Sequence, residues 1–275
     1  MNLHNIINEI EKVDPEVYDR LDGRRAALKK LTGFTSKVAL SAVPVALGSL
    51  FQKAYGQTVS PQIIDVLQFA LTLEQLEKEF YVMGLAATGL IKSGEDRAAI
   101  GTISMHEIAH VRFLEDTISS LQAQPGKKPN FDFTAKRTFN DVFTNYQTFL
   151  AVAQTFEDTG VRAYKGQAGN LMSSNEILRA ALRIHSVEAR HASHLREMRN
   201  RNFGAKVQPW ITLNQSGIDS AAVQPSYDGE ELVVQAGVNI VGINGFSITA
   251  EDASESFDEP LSKMQVLAIL SPFLA

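Results

Sequence analysis

The sequence contains no cysteine. That absence excludes a disulfide framework, a thiolate nucleophile, a cysteine-ligated zinc site and an iron–sulfur cluster held by this chain. Any transition metal must therefore rest on histidine and carboxylate. Positive charge is also scarce: 26 Lys and Arg stand against 31 Asp and Glu, with a net charge of −5 and a sequence pI of about 5.7. A chain with that balance lacks the basic footprint that a phosphate backbone requires, so no nucleic-acid partner is expected. What the chain does have is apolar material, 44% of 275 residues, enough to bury one sizeable core or two modest ones.

The amino terminus reads as an address. Gly23-Arg24-Arg25-Ala26-Ala27-Leu28-Lys29 precedes a weakly charged stretch from Val38 to Phe51, which is followed by the small-residue site Ala54-Tyr55-Gly56. Charge, apolar segment and small residues stand in export-signal order. The paired arginines resemble the twin-arginine export motif, with Ala27 where an aromatic usually precedes the leucine. The stretch has 14 residues and contains Pro44, short of the roughly 20 that a spanning helix needs, so no permanent membrane span is expected. Residues 1–56 are read as a leader, 57–202 as a helical bundle and 203–275 as a carboxyl-terminal extension docked on it. Whether the leader is removed stays open; the alternative for this segment is an amphipathic helix packed on the main domain. An exported compartment, periplasmic or otherwise extracytoplasmic, is the expected destination.

Four long helices follow from periodicity. Ser60-Pro61 supplies a cap and a first-turn proline, and apolar residues recur at helical spacing through Ile64, Leu67, Leu71, Phe80 and Leu90 until Lys92-Ser93-Gly94. A second segment runs from about Glu95 to Leu121, where Gln124-Pro125-Gly126 breaks it. A third is expected from near Thr134 to about Gly166, and a fourth from Ser173 or Ser174 to about Asn202. The short turns between helices one and two, and three and four, force two antiparallel hairpins. The connection between hairpins, about Ala123 to Phe133, is long enough when extended to run the length of a bundle. The fold expected is therefore an all-α four-helix bundle with one long crossover. Beyond Phe203 short runs such as Leu232-Val233-Val234 suggest strands or extended loops, and Ser262 to Leu270 a closing helix.

One constellation occurs twice. Helix one carries Glu74 and, seven residues on, Tyr81; helix three carries Glu157 and, seven on, Tyr164. Helix two carries Glu107 and His110, and helix four Glu188 and His191, each pair three apart and so on one face. The first and second glutamates are 33 residues apart in one hairpin and 31 in the other. Packed together, the hairpins would present four carboxylates and two imidazoles to one point. Burying that much negative charge is prohibitive without cations, whereas two divalent ions balance it, and Glu and His suit iron or manganese. A Glu from each of two helices and Glu-x-x-His from each of the other two is the pattern of di-iron and di-manganese carboxylate bundles.

By these residues, with Asp158-Thr159-Gly160-Val161 after Glu157 and Phe257-Asp258-Glu259-Pro260-Leu261 near the carboxyl end, the chain resembles the ferritin-like superfamily and its exported, desiccation-related branch. The resemblance implies a dinuclear iron or manganese centre ligated by Glu74, Glu107, His110, Glu157, Glu188 and His191. It does not fix a reaction. Tyr81 and Tyr164 are read first as amphipathic core residues and otherwise as catalytic, redox-active candidates beside the centre, where both could also bond the ligand carboxylates; Glu77, one turn after Glu74, is read first as a solvated or nearby carboxylate and otherwise as a further ligand. His194 is read as facing either the centre's surroundings or solvent.

Three functional readings remain open on the sequence. The favoured one is a ferroxidase-like or peroxide-consuming oxidoreductase, with oxygen or peroxide as partner, protecting an exported compartment under stress. The second is a stress or structural protein that keeps metal for stability. The third takes His106-Glu107-Ile108-Ala109-His110 as a zinc-protease helix motif, but Phe113 and Asp116 occupy the places where its extension needs glycine and histidine. The 73-residue extension is expected to prevent a hollow storage cage and to leave a monomer or small homo-oligomer.

Overall fold

The computed structural model describes residues 60–275, so the leader reading of residues 1–56 lies outside the described residues. Four helices form the bundle: α1 Pro61–Ala86, α2 Glu95–Ser120, α3 Tyr146–Ala168 and α4 Asn175–Phe203. Their starts carry the expected chemistry. Ser60 accepts from the Gln62 N–H with Pro61 in the first turn, Asn145 from Gln147, and Ser174 from Ile177, which satisfies amide donors the helices cannot. α4 ends at Gly204 in the left-handed conformation, φ 64°, where a residue without Cβ meets no penalty.

α1 pairs with α2 and α3 with α4 as two hairpins. Cross-contacts set their relative direction: Tyr81 of α1 reaches Glu157 of α3, while Tyr164 of α3 reaches Glu74 of α1, so α1 and α3 run antiparallel. The chain must therefore travel the length of the bundle between α2 and α3. It does so along α1: Gln68 holds Gln124 and Gly126, Glu79 meets Lys128, and Phe80 meets Phe133.

This crossover is longer than its composition suggests, because α3 starts at Tyr146 rather than near Thr134. Residues 134–144 mimic helical periodicity, with Ala135, Phe139 and Val142 all buried at i, i+4 and i+7. Yet Ala135, Lys136 and Arg137 have φ of 46°, 54° and 76°, a left-handed run closed to a right-handed helix. Asp132 stabilises it by accepting from the Thr134 and Lys136 amides. The buried apolar residues instead build an aromatic cluster in which Phe80 stacks on Phe149, ring centroids 4.7 Å apart. α1 can come this close to α3 because Gly84 faces Phe149; a Cβ there would lie 2.3 Å from the ring.

α1 also stops at Ala86, short of Leu90, and both Leu90 and Ile91 are buried in the turn that follows. After α4 the chain forms a two-residue antiparallel ribbon, β1 Val234–Gln235 and β2 Val238–Asn239, then α5 Ala250–Ser254 and α6 Lys263–Leu270. α6 is the expected closing helix, with a Ser262–Gln265 capping box.

The extension packs on α3, and polar chemistry explains how. From Phe149 to Tyr164 every residue of α3 is buried, including Gln154, Asp158 and Arg162 on the face away from the bundle centre. Arg162 donates to the carbonyls of Ser226, Asp228 and Glu259 and pairs with Glu230 at 2.6 Å. Arg196 of α4 pairs with Asp158, which also accepts from the Tyr227 hydroxyl at 2.8 Å. Arg199 donates to Gln154 and to the Gly217 carbonyl. Three arginines thus satisfy carbonyls of irregular chain that would otherwise be buried without partners. Gly166 admits the last contact: a Cβ there would meet the Leu261 carbonyl oxygen at 1.9 Å. No helix among the described residues is long and apolar enough to cross a membrane.

Candidate metal centre

The two Glu-x-x-His faces and the two single glutamates meet midway along the bundle. Glu74, Glu107, Glu157 and Glu188 are fully buried, His191 nearly so, and the His110 side chain is 11% exposed. Their atoms sort into two groups. His110 Nδ1 lies 3.1 Å from an oxygen of each of Glu74, Glu107 and Glu188. His191 Nδ1 lies 3.0, 3.2 and 3.4 Å from oxygens of Glu107, Glu157 and Glu188. In each group the potential ligand atoms all lie within 4.8 Å of one another.

Glu107 gives Oε2 to the first group and Oε1 to the second; Glu188 gives Oε1 to the first and Oε2 to the second. These two carboxylates bridge, while Glu74 and Glu157 each belong to one group. The arrangement requires α2 and α4 to run antiparallel, so that each histidine faces the other helix's glutamate.

Hydrogen bonding does not account for this packing. One imidazole nitrogen carries one proton or one lone pair, yet each Nδ1 has three carboxylate oxygens around it. Glu107 Oε1 and both oxygens of Glu188 are buried without a hydrogen-bond partner; the histidines approach them closely but out of line. Adjacent ligands in an octahedral shell with bonds of about 2.1 Å lie about 3.0 Å apart, matching the spacing seen. The donor set of oxygen and imidazole nitrogen fits divalent iron or manganese.

Electrostatics point the same way. Burial raises Glu74 and Glu157 well above the ordinary carboxylate range, and neighbouring carboxylates add to it against the opposing pull of the histidines. Burial would also raise Glu107 and Glu188, but His110 and His191 against them reverse the sign. His191, which burial alone would lower, is pushed up to about 12 by Glu157, Glu107 and Glu188, and His110 is raised too. Without cations the cluster thus holds together only by retaining protons.

The surroundings orient the ligands. The Tyr81 hydroxyl donates to Glu157 Oε1 at 2.5 Å and the Tyr164 hydroxyl to Glu74 Oε1, so each single glutamate keeps its other oxygen for its histidine group. Both tyrosines are buried against the two groups through these bonds. His106 Nδ1 lies 2.9 Å from His191 Nε2 with the rings stacked. With Nδ1 of His191 directed at the carboxylates, its Nε2–H donates outward to His106. His106 itself is lowered by burial and by the positive charge of the other histidines, which favours the neutral acceptor. It joins neither ligand group among the described residues, so Glu107 has ligand neighbours rather than the free water-activating position of the zinc-protease reading.

Glu77 is buried, with Oε1 3.2 Å from where a Gly160 Cβ would sit, and makes no hydrogen bond to a described residue. Burial, then Glu157, Glu188, Glu74 and Glu107, raise it strongly. It stands beside the two groups rather than in them. His194 faces solvent, its side chain 43% exposed and 3.9 Å from Glu197. His185 bonds the Val161 carbonyl.

An apolar cavity of about 20 Å³ lies on the far side of Tyr164, which bonds Glu74, and is walled by Leu73, Leu114 and Ala163 among others, with none of the six clustered residues in its lining. Its size admits a water or a diatomic molecule, and its walls favour the diatomic.

Residues 62–201 match the family described as a ferritin-like domain. No curated protein matches the chain.

Proposed function

From its place in the ferritin-like domain family, to which the chain belongs, we propose that this protein is a dinuclear iron or manganese oxidoreductase, ferroxidase-like or peroxide-consuming. The observation that carries the proposal is the pair of bridging carboxylates. Glu107 and Glu188 each offer one oxygen to each imidazole group, and three of those four oxygens have no hydrogen bond. Glu74 and His110 would complete one ion's protein ligands, Glu157 and His191 the other's. Held there, two such ions would supply two electrons together, one from each, for chemistry with oxygen or peroxide.

The chain's residues serve that chemistry by position and charge. The four glutamates place negative charge where higher oxidation states need it, and Tyr81 and Tyr164 hold the two single carboxylates in register. Glu77, raised by burial and its acidic neighbours, sets a further carboxyl group beside the centre. The apolar cavity next to Tyr164 suits passage of dioxygen. Hydrolysis is less well served, because the glutamates with the geometry of a base are committed as ligands.

Metal analysis of the purified protein should return close to two equivalents per chain. Apoprotein loaded with ferrous iron should consume oxygen, or, loaded with manganese, should release oxygen from peroxide. Metal-dependent melting without turnover in either form would replace this reading with a structural role for the metal. A single zinc unaffected by Glu188→Ala would refute the dinuclear site itself.

The proposal includes export by the twin-arginine route to a periplasmic or other extracytoplasmic compartment, where the centre would serve in stress protection. Its support is the Arg24-Arg25 leader, and a route that carries folded protein suits a centre loaded beforehand. Arg24→Lys with Arg25→Lys should trap the protein inside; unchanged export would refute this. The extension on α3 supports a monomer or small oligomer over a storage cage, which sizing by light scattering would test.

A further inference from the structure

Between α3, α4 and the extension lies a second cavity, of about 170 Å³. Its floor includes Asp158, Ala189 and Ala192, which directly follow Glu157, Glu188 and His191 in the chain. It therefore backs onto the same two helices as the metal centre, one residue around each. Its rim comes from the extension: Trp210 and Phe257, 48% and 37% exposed, with Glu255 and Asp258.

The walls are held in place by bonds that leave the cavity's own chemistry free. Arg196 fixes the Trp210 carbonyl at 3.2 Å and takes up the Asp158 charge. Thr212 donates to one oxygen of Glu255 at 2.6 Å, leaving the other. Asp258 is anchored through its main-chain carbonyl by Lys165, and its carboxylate makes no hydrogen bond or salt bridge to a described residue. Among the described residues that line the space none is Lys or Arg. The lining thus combines two aromatic side chains with the acceptor-only carboxylates of Glu255 and Asp258, a composition that attracts a cation and offers little to an anion.

We infer that this cavity binds a compact organic cation of the quaternary ammonium or methylated amine class, with Trp210 and Phe257 against its methyl groups and Asp258 and Glu255 as counter-charges. The inference is independent of the metal reading, since none of these four residues touches the ligand groups.

The chain contains one tryptophan, so its fluorescence reports on this cavity alone. The full-length protein would be titrated with tetramethylammonium chloride, against sodium chloride at equal ionic strength and tert-butanol as a neutral isostere, with calorimetry as a second readout. The expected result is a saturable response to tetramethylammonium only. Asp258→Asn and Phe257→Leu should each weaken it at least fivefold without changing the melting temperature, because neither side chain makes a hydrogen bond that holds the fold. Phosphatidylcholine vesicles, compared with phosphatidylglycerol vesicles, separate a lipid headgroup from a free solute as the source of the cation. An absent response by both fluorescence and calorimetry, an equal response to tert-butanol, or a saturable response to glucose would overturn the inference.

Discussion

The bridging geometry makes a quantitative distinction between glutamates that look alike in sequence. Glu188 contributes an oxygen to both groups, Glu74 to one. Consider Glu188→Gln and Glu74→Gln, each nearly isosteric, with metal held at a thousand times the wild-type dissociation constant. One occupied site then stabilises the fold by about 4.1 kcal/mol, and two by about 8 kcal/mol. Partners outside the ligand set already cost up to about 100-fold in affinity, so a lost ligand oxygen is taken as about 100-fold at each ion it served. At the same metal concentration a site weakened that far still contributes about 1.4 kcal/mol. Glu74→Gln therefore forfeits about 2.7 kcal/mol of metal-dependent stability and Glu188→Gln about 5.4 kcal/mol. For a protein of this size those losses are roughly 5–11 °C and 11–22 °C of the metal-induced rise in melting temperature. The assay is calorimetric melting of each variant with and without metal, alongside metal analysis. Referring each variant to its own metal-free form removes the effect of deleting a buried charge. Glu157→Gln should resemble Glu74→Gln, and Glu107→Gln should resemble Glu188→Gln. Equal losses for all four would refute the bridging assignment, and a single-site variant that loses both ions would refute the independence of the two groups.

Metal loading should release protons and tighten as pH rises. Glu74 and Glu157 are raised and His191 stands at about 12, so the metal-free form holds protons at neutral pH that ligation must displace; calorimetry in buffers of different ionisation enthalpy checks this, and no proton release would contradict it. His106→Val should weaken by about 10- to 100-fold the ion bound by His191 and leave the other nearly unchanged, since only His191 Nε2 leans on it; stepwise metal titration separates the two. Arg162→Leu should cost about 3–5 kcal/mol, because it strips the Ser226, Asp228 and Glu259 carbonyls of their donor and leaves Glu230 unpaired. Limited proteolysis should then cut within residues 203–275 faster than in the parent protein. Glu230, which burial already lifts to about 7 against the pull of Arg162, would take up a proton, so part of that loss should vanish at acid pH.

The bundle and its six clustered groups were legible because each rests on local spacing. Glu107 and His110, like Glu188 and His191, share a helix face wherever the helix goes, and the near-equal separations of 33 and 31 residues mark two hairpins of one design. Short turns dictated antiparallel pairs. Ser60, Ser174 and Ser262 announced their helices, since a hydroxyl that accepts an amide hydrogen acts within three residues. The start of α3 was not legible: Ala135, Phe139 and Val142 repeat at i, i+4 and i+7 as a helix would and all are buried, and only the positive φ of Ala135, Lys136 and Arg137 closes the segment to a right-handed helix.

Everything that depends on which helix faces which was decided in three dimensions. Sequence spacing determines that four carboxylates and two imidazoles converge; only the antiparallel packing of α2 against α4 gives Glu107 and Glu188 an oxygen in both groups and Glu74 and Glu157 an oxygen in one. His106 could be read from the sequence as lying beside the centre or on the bundle surface, but which residue it contacts could not, because its partner His191 is 85 residues away. Arg162, Arg196 and Arg199 carried no signal of their roles, for in sequence they read as ordinary charges on amphipathic helices. They are buried because irregular chain with unsatisfied carbonyls lies over α3 and needs donors long enough to reach it. Local periodicity encodes the face a residue shares, whereas the identity of the opposite wall is a property of the folded chain.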